Sequence, residues 1–186
     1  MSILYALAYT LEKLGMDYRN AVSTLDERVI LQKTIFLLKQ LGYDLKYNFN
    51  WYLKGPYSPA LASDGYTLRD SLASPVLEDK IESWMQKVEN DPEFSERMHL
   101  SILPRSESAI IPFKKIRDRL YQITGIKQSE IMEIAASLVY IYEYLGYRTR
   151  NAILQFFYEE KTIYRQKSSK VLTIYGILAQ HGLIPA

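Results

Sequence analysis

Chemistry in a protein of this length needs nucleophiles, bases or metal ligands at workable spacings, and few are present. There is no cysteine, which removes disulfides and thiolate metal sites. The only histidines, His99 and His181, stand far apart, and neither has metal-ligand spacing to another ligand. No glycine-rich phosphate loop and no nucleophile elbow occurs. Asp26-Glu27 and Glu159-Glu160 are adjacent carboxylates, but neighbouring residues on a helix point about 100° apart and do not share a site. These absences point to a protein that is not an enzyme and uses neither cofactor nor metal.

Three features remain that can bind. The first is Lys33, whose helical neighbours Val29, Ile30, Phe36 and Leu37 are all apolar. A lysine on such a face must snorkel, meet a carboxylate or bond to backbone carbonyls. It reads either as a cation lining a partner groove or as a brace tying its helix to the turn near Gly55. The second is the run from Phe49 to Ser58, where aromatics precede a Gly-Pro turn and a helix start. Helix N-termini offer free N–H groups and partial positive charge, so an anion or a partner's carboxylate could dock there. Alternatively Trp51 and Tyr57 are core, and Gly55-Pro56 only builds a corner. The candidate partner-binding set is Lys33, Trp51, Tyr52, Lys54, Gly55, Pro56, Tyr57 and Ser58.

The third feature is basic. Lys114, Lys115, Arg117 and Arg119 fall on the polar side of one helix, with Lys115 and Arg119 a like-charged pair. They are the candidate nucleic-acid contacts, and Lys114 paired with Asp118 dilutes them. A second group, Lys161, Arg165, Lys167 and Lys170, flanks the last helix. The charge distribution agrees in sign. Residues 1–104 hold 11 basic and 14 acidic residues, a net of −3, and residues 105–186 hold 12 and 7, a net of +5.

The elements that position these groups are mostly helical. Leu4, Leu7, Ala8, Leu11 and Leu14 place a helix over 2–15. Thr24 with Glu27 forms a capping box for a second helix running to Leu41, stopped by Gly42. Lys46 to Leu53 changes to period two, which predicts a strand, and Lys54 to Tyr57 reads as a turn. Ser58-Pro59 opens a helix to about Leu72. Further helices are expected over 76–90, from Asp91-Pro92 toward Met98, and over 113–124. Ser129 to Leu145 is the strongest helix of the C-terminal half. Thr149 is expected to cap a helix to Glu159, and Ser169 one to Gln180. Leu100 to Pro112 reads as loop, with an extended piece at 109–111 that could supply a wing.

The 186 residues, 48% hydrophobic and 24% charged, suit one globular domain. A subdivision into 1–100 and 112–186 would fall at the loop. The expected fold is a single compact, mostly α domain with one or two short strands, in a plain or winged-helix-like arrangement. No apolar run is long enough to span a membrane, and no basic residue precedes the apolar stretch Ile3 to Tyr9, so neither a membrane span nor a secretory signal is expected. A cytoplasmic location follows. The 16 tyrosines suit interfaces, or the edges of a helical core.

The combination of Arg28, Leu31-Gln32-Lys33, Phe36-Leu37-Leu38, Tyr52, Gly55-Pro56-Tyr57-Ser58 and Leu61 resembles the YwgA-like uncharacterised proteins and the Panacea domain, the SocA-like or GepA-like antitoxin domain. The match covers residues 28–72. The helix with Ala135-Ala136-Ser137 and Tyr140 is loosely similar. This chain differs in Thr34-Ile35 and in its long helical C-terminal half. The resemblance implies a non-catalytic interaction module that neutralises a partner toxin by direct contact. From the residues themselves, the alternative is a DNA- or RNA-binding helical regulator using 113–124.

Overall fold

The computed structural model describes residues 3–70, 74–104 and 107–186. Among them are nine α-helices and one two-stranded hairpin, so the chain is mostly α, as its periodicity predicts. The N-terminal part runs α1 (Ile3–Lys13), α2 (Leu25–Gln40), β1 (Asn50–Tyr52), β2 (Gly55–Tyr57), α3 (Pro59–Asp70), α4 (Pro75–Asn90) and α5 (Pro92–Ser101). The remainder runs α6 (Ile110–Tyr121), α7 (Gln128–Glu143), α8 (Arg150–Glu160) and α9 (Ser168–Gln180). No helix among the described residues is long and apolar enough to cross a membrane.

The molecule is built around α7. Every residue from Ile131 to Ile141 is buried. A helix buried all round needs neighbours all round, and α2, β2, α6, α8 and α9 supply them. Its closest companion is α2, which buries Val29 and then every residue from Leu31 to Leu38. The Thr24–Glu27 capping box starts α2 as expected. Thr24 Oγ1 accepts from the Glu27 N–H at 3.2 Å, and the Glu27 carboxylate accepts from the Thr24 N–H at 2.9 Å. One hydrophobic cluster takes residues from Leu4 to Ile184 and draws from both sides of the 100–112 stretch. On the outer layer, α4 packs on α1 with Trp84 between Tyr5 and Tyr9, and Arg19 ties the α1–α2 link to Glu78 and Glu82 of α4.

Several expectations need correction. The period-two run from Lys46 to Leu53 is a strand only over Asn50–Tyr52. Before that it is irregular chain without a partner strand among the described residues, with Lys46 left-handed at φ +66°, and Tyr47 and Phe49 are buried in the core. Gly55–Tyr57 is not the turn but the second strand, paired Tyr52 with Gly55 and Asn50 with Tyr57, so Leu53-Lys54 makes the turn. The expected extended piece at 109–111 is a 3-10 turn, Glu107–Ala109, leading into α6. Pro112 sits in the first turn of α6, where a missing N–H costs nothing. No wing forms there among the described residues, and residues 105 and 106 lie outside them. Leu72, the expected end of the third helix, also lies outside. α9 begins at Ser168 after a 3-10 turn over Thr162–Lys167, so Ser169 is inside the helix rather than its cap. α7 stops at Glu143, and Leu145 is exposed.

The hairpin meets α7 at very close range. Gly55 has φ +80°, and a Cβ there would run into Ser137 Oγ. Gly125 has a similar φ, +75°, but open space around it. Alanine at Gly125 therefore carries the left-handed backbone penalty alone, about 1 kcal/mol. Gly55→Ala adds the collision with α7 and is expected to lose about 1–3 kcal/mol more. Urea unfolding of the two variants checks this; equal losses would mean that the hairpin does not need its close seat on α7.

Candidate functional site

Local sequence explains how the site is assembled. Gln32 and Lys33 are consecutive on α2, and both face β2 and the start of α3. Gln32 uses both ends of its amide on Ser58: its Nε2 donates to the Ser58 carbonyl at 2.9 Å, and its Oε1 accepts from the Ser58 N–H at 2.8 Å. Lys33 Nζ donates to the Pro56 carbonyl at 2.6 Å. Pro56 has no N–H for the sheet ladder, but its carbonyl is free to take this cation. Ser58 Oγ then accepts from the Leu61 N–H at 3.4 Å and helps start α3. Leu31-Gln32-Lys33 and Gly55-Pro56-Tyr57-Ser58 thus form one clamp.

Lys33 is 1% exposed. Burial pushes its ammonium down to about 7; Glu133 opposes this, and Lys161 and Lys54 add to it. The bracing role is therefore the one its geometry serves, and the side chains of Lys33, Pro56 and Ser58 are too buried to meet a partner's surface. Trp51 is half-buried, packed on Tyr140 and Phe156. Tyr52 and Lys54 are exposed, and Tyr57 is half-buried with its ring stacked on Tyr52 at 5.4 Å.

Two residues that hold the hairpin escape the sequence pattern. Glu133 is buried on α7, and its carboxylate takes Lys161 at 2.7 Å and Lys54 at 3.3 Å. Lys161, grouped above with the basic residues flanking the last helix, is buried too. It also donates to the Leu53 carbonyl at 2.9 Å and lies 5.7 Å from the Trp51 ring centre. Burial, then the Glu133 and Glu130 carboxylates, pushes the nearby Tyr164 phenol up. The one available signal was a lone carboxylate inside the otherwise uncharged run Ile131 to Ile141.

The basic residues are dispersed. Arg117 donates to the Leu14 carbonyl at 2.8 Å, where α1 has just ended, and pairs with Asp118 at 3.5 Å. Asp118 is thus the partner of Arg117, not of Lys114 as expected. Lys114 is half-buried, while Lys115 and Arg119 are exposed beside His181, whose ring burial and these two cations push down. In the second group Lys167 pairs with Glu130, and Arg165 donates to the Tyr158 carbonyl, so neither forms a phosphate track. His99 contacts the Pro104 carbonyl at 3.3 Å. No cluster of three metal-ligating side chains occurs among the described residues.

What the clamp leaves open is a cleft of about 380 Å³ between the first half of α2, the hairpin and α3. Lys33 stands at its floor, and Arg28, Tyr52, Tyr57 and Tyr66 form its walls. Its rim is apolar and in water: Leu53 is 86% exposed, Tyr52 65% and Leu25 56%. Compared with family models, curated proteins and solved structures, the chain finds no match.

Two predictions follow from the buried charges. Between about 7 and 10.5, the unfolded chain holds a proton on Lys33 that the folded chain lacks, so stability rises with pH in that window. Below it, the full cost of the buried charge is present. Relative to Lys33→Met, the wild type is expected to gain about 2 kcal/mol between about pH 7 and about pH 9. A flat difference in urea unfolding across that range would mean that Lys33 keeps its proton in the fold. Separately, Glu133→Gln leaves Lys161 buried without its counter-charge and is expected to lose about 3–5 kcal/mol. Adding Lys161→Met should recover most of it; a double variant no better than the single one would refute the coupling.

Proposed function

We propose that this protein is a non-catalytic interaction module, acting in the cytoplasm on a protein partner in the manner of the Panacea-type antitoxins it resembles. Its contact surface is the hairpin tip, Tyr52, Leu53 and Lys54, with Tyr57 and the Leu25 rim of α2. The observation that carries this reading is Leu53, 86% exposed at the end of a hairpin whose other contacts are all fastened. Its own carbonyl is held by Lys161, the strand after it by Lys33, and the next residue beyond that strand by Gln32.

An apolar side chain held out in water gains nothing for the monomer. On a rigid support it gives a partner an anchor with little ordering left to do. The stacked pair Tyr52–Tyr57 adds aromatic area beside it, and tyrosine is favoured at interface centres. The nucleic-acid alternative loses support because Arg117 is engaged by a backbone carbonyl and Asp118.

The test is a quantitative pull-down from native cells, with and without nuclease, comparing the wild type with Leu53→Asp. Leu53 has almost no packing to lose, so the variant should melt like the wild type. A partner held in stoichiometric amount by the wild type, and about ten- to a hundredfold more weakly by the variant, is expected. Equal capture by both would remove this surface, and material lost on nuclease treatment would restore the nucleic-acid reading.

A further inference from the structure

The cleft beside the hairpin tip carries positive charge that the protein does not balance. Arg28 donates through one terminal nitrogen to the Tyr66 hydroxyl at 2.8 Å, while its Nε is buried with no partner among the described residues. Lys33, at the floor, gives one hydrogen bond to Pro56 and forms no salt bridge among the described residues. An ammonium has three N–H groups to donate. Neighbouring cations fare differently: Lys54 and Lys161 share Glu133, and Lys127 has Asp26. Arg28 therefore brings to an open cleft a guanidinium that no carboxylate among the described residues answers, and an acceptor from outside can do so.

The shape of the cleft narrows what that acceptor belongs to. The space is continuous in its lining with a second hollow of about 300 Å³ between α2 and the start of α7, through Leu25, Val29 and Lys54. The second hollow is lined by Asp26, Lys127, Ser129, Glu130 and Glu133, and its carboxylates are already taken: Asp26 by Lys127 and Ser129, Glu130 by Lys167, and Glu133 by Lys54 and Lys161. The two hollows together make a groove with a cationic end, an apolar middle and a polar end whose charges are paired. It fits an extended chain.

We propose that this groove binds an acidic peptide segment of the partner, with an Asp or Glu carboxylate on the Arg28 guanidinium and the adjoining apolar side chain against Leu25, Leu53 and Tyr57. This rests on the interaction reading and deepens it by giving the chemistry recognised. Charge-assisted bonds from Arg28 in a partly closed cleft hold the carboxylate.

The probe is a library of short randomised peptides, selected on the full-length wild-type protein. Enrichment of peptides with an Asp or Glu next to an aliphatic or aromatic residue is expected. A selected peptide with its acidic residue changed to the amide should bind the wild-type protein about ten- to a hundredfold more weakly. The same loss should appear for the original peptide on Arg28→Gln, and added salt should weaken binding. Because the amide peptide is tested on unaltered protein, misfolding of a variant cannot mimic the result.

Selected peptides without acidic enrichment, or an amide peptide that binds equally well, would overturn the proposal. If such peptides were still lost with Leu53→Asp, the interaction surface would stand and only its acidic recognition would fall. No selection at all, with a stoichiometric partner still lost on Leu53→Asp, would likewise overturn this groove alone. Failure of the Leu53→Asp comparison itself would remove both.

Discussion

A cation moved from water into an apolar interior must be given acceptors, and much of this structure is arranged around that requirement. Lys33 arrives inside the core because α2 is packed on nearly all sides. The backbone that satisfies it is the Pro56 carbonyl, and holding that carbonyl in place needs the hairpin, its two-residue turn and the close seat of Gly55 on Ser137. Gln32 completes the arrangement by taking both backbone groups of Ser58. Each partner would be costly to leave alone, since an unmet buried donor or acceptor costs about 1–3 kcal/mol. The clamp is therefore cooperative: its members are tolerable together and costly apart.

The second buried charge system works from the other side. Glu133 on α7 and Lys161 after α8 are both nearly removed from water, with side chains 4% exposed. Such a pair adds little net stability compared with apolar packing, but it specifies geometry, because either charge alone is strongly disfavoured. Here it fixes the hairpin turn through the Leu53 carbonyl and brings Lys54 to the same carboxylate. Two helices, α2 and α7, thereby grip an eight-residue hairpin, Asn50 to Tyr57, whose own two short strands would not be stable in water.

That grip also fixes the exposed tip. Leu53 and Tyr52 project from a support fastened on both faces, so their positions are set before any partner arrives. The cleft beside them has unmet donors for the same reason. The charges at its far end are paired off, whereas Arg28 and Lys33 face a space that holds no carboxylate of this chain among the described residues. Anchor and charge lie next to each other on one surface.

The helices, most of their stops and the α2 capping box were legible from local pattern, because 3.6-residue periodicity and glycine at the ends act within a few residues. The unusual environment of Lys33 was legible too, since four apolar neighbours on its own helix define it. The hairpin pairing was not: Lys46 to Leu53 alternates like a strand, yet only three residues find a partner, and which ones do depends on α7 leaving room for Gly55. Glu133 and Lys161 are 28 residues apart and look like ordinary surface charges. Only the packing of α7 at the centre buries both and makes them a pair. Sequence by itself determined most of the helices and marked Lys33 as a cation set on an apolar helix face. Tertiary structure decided which carbonyl and which carboxylate answer the buried cations, because burial is set by what the rest of the chain places around a residue.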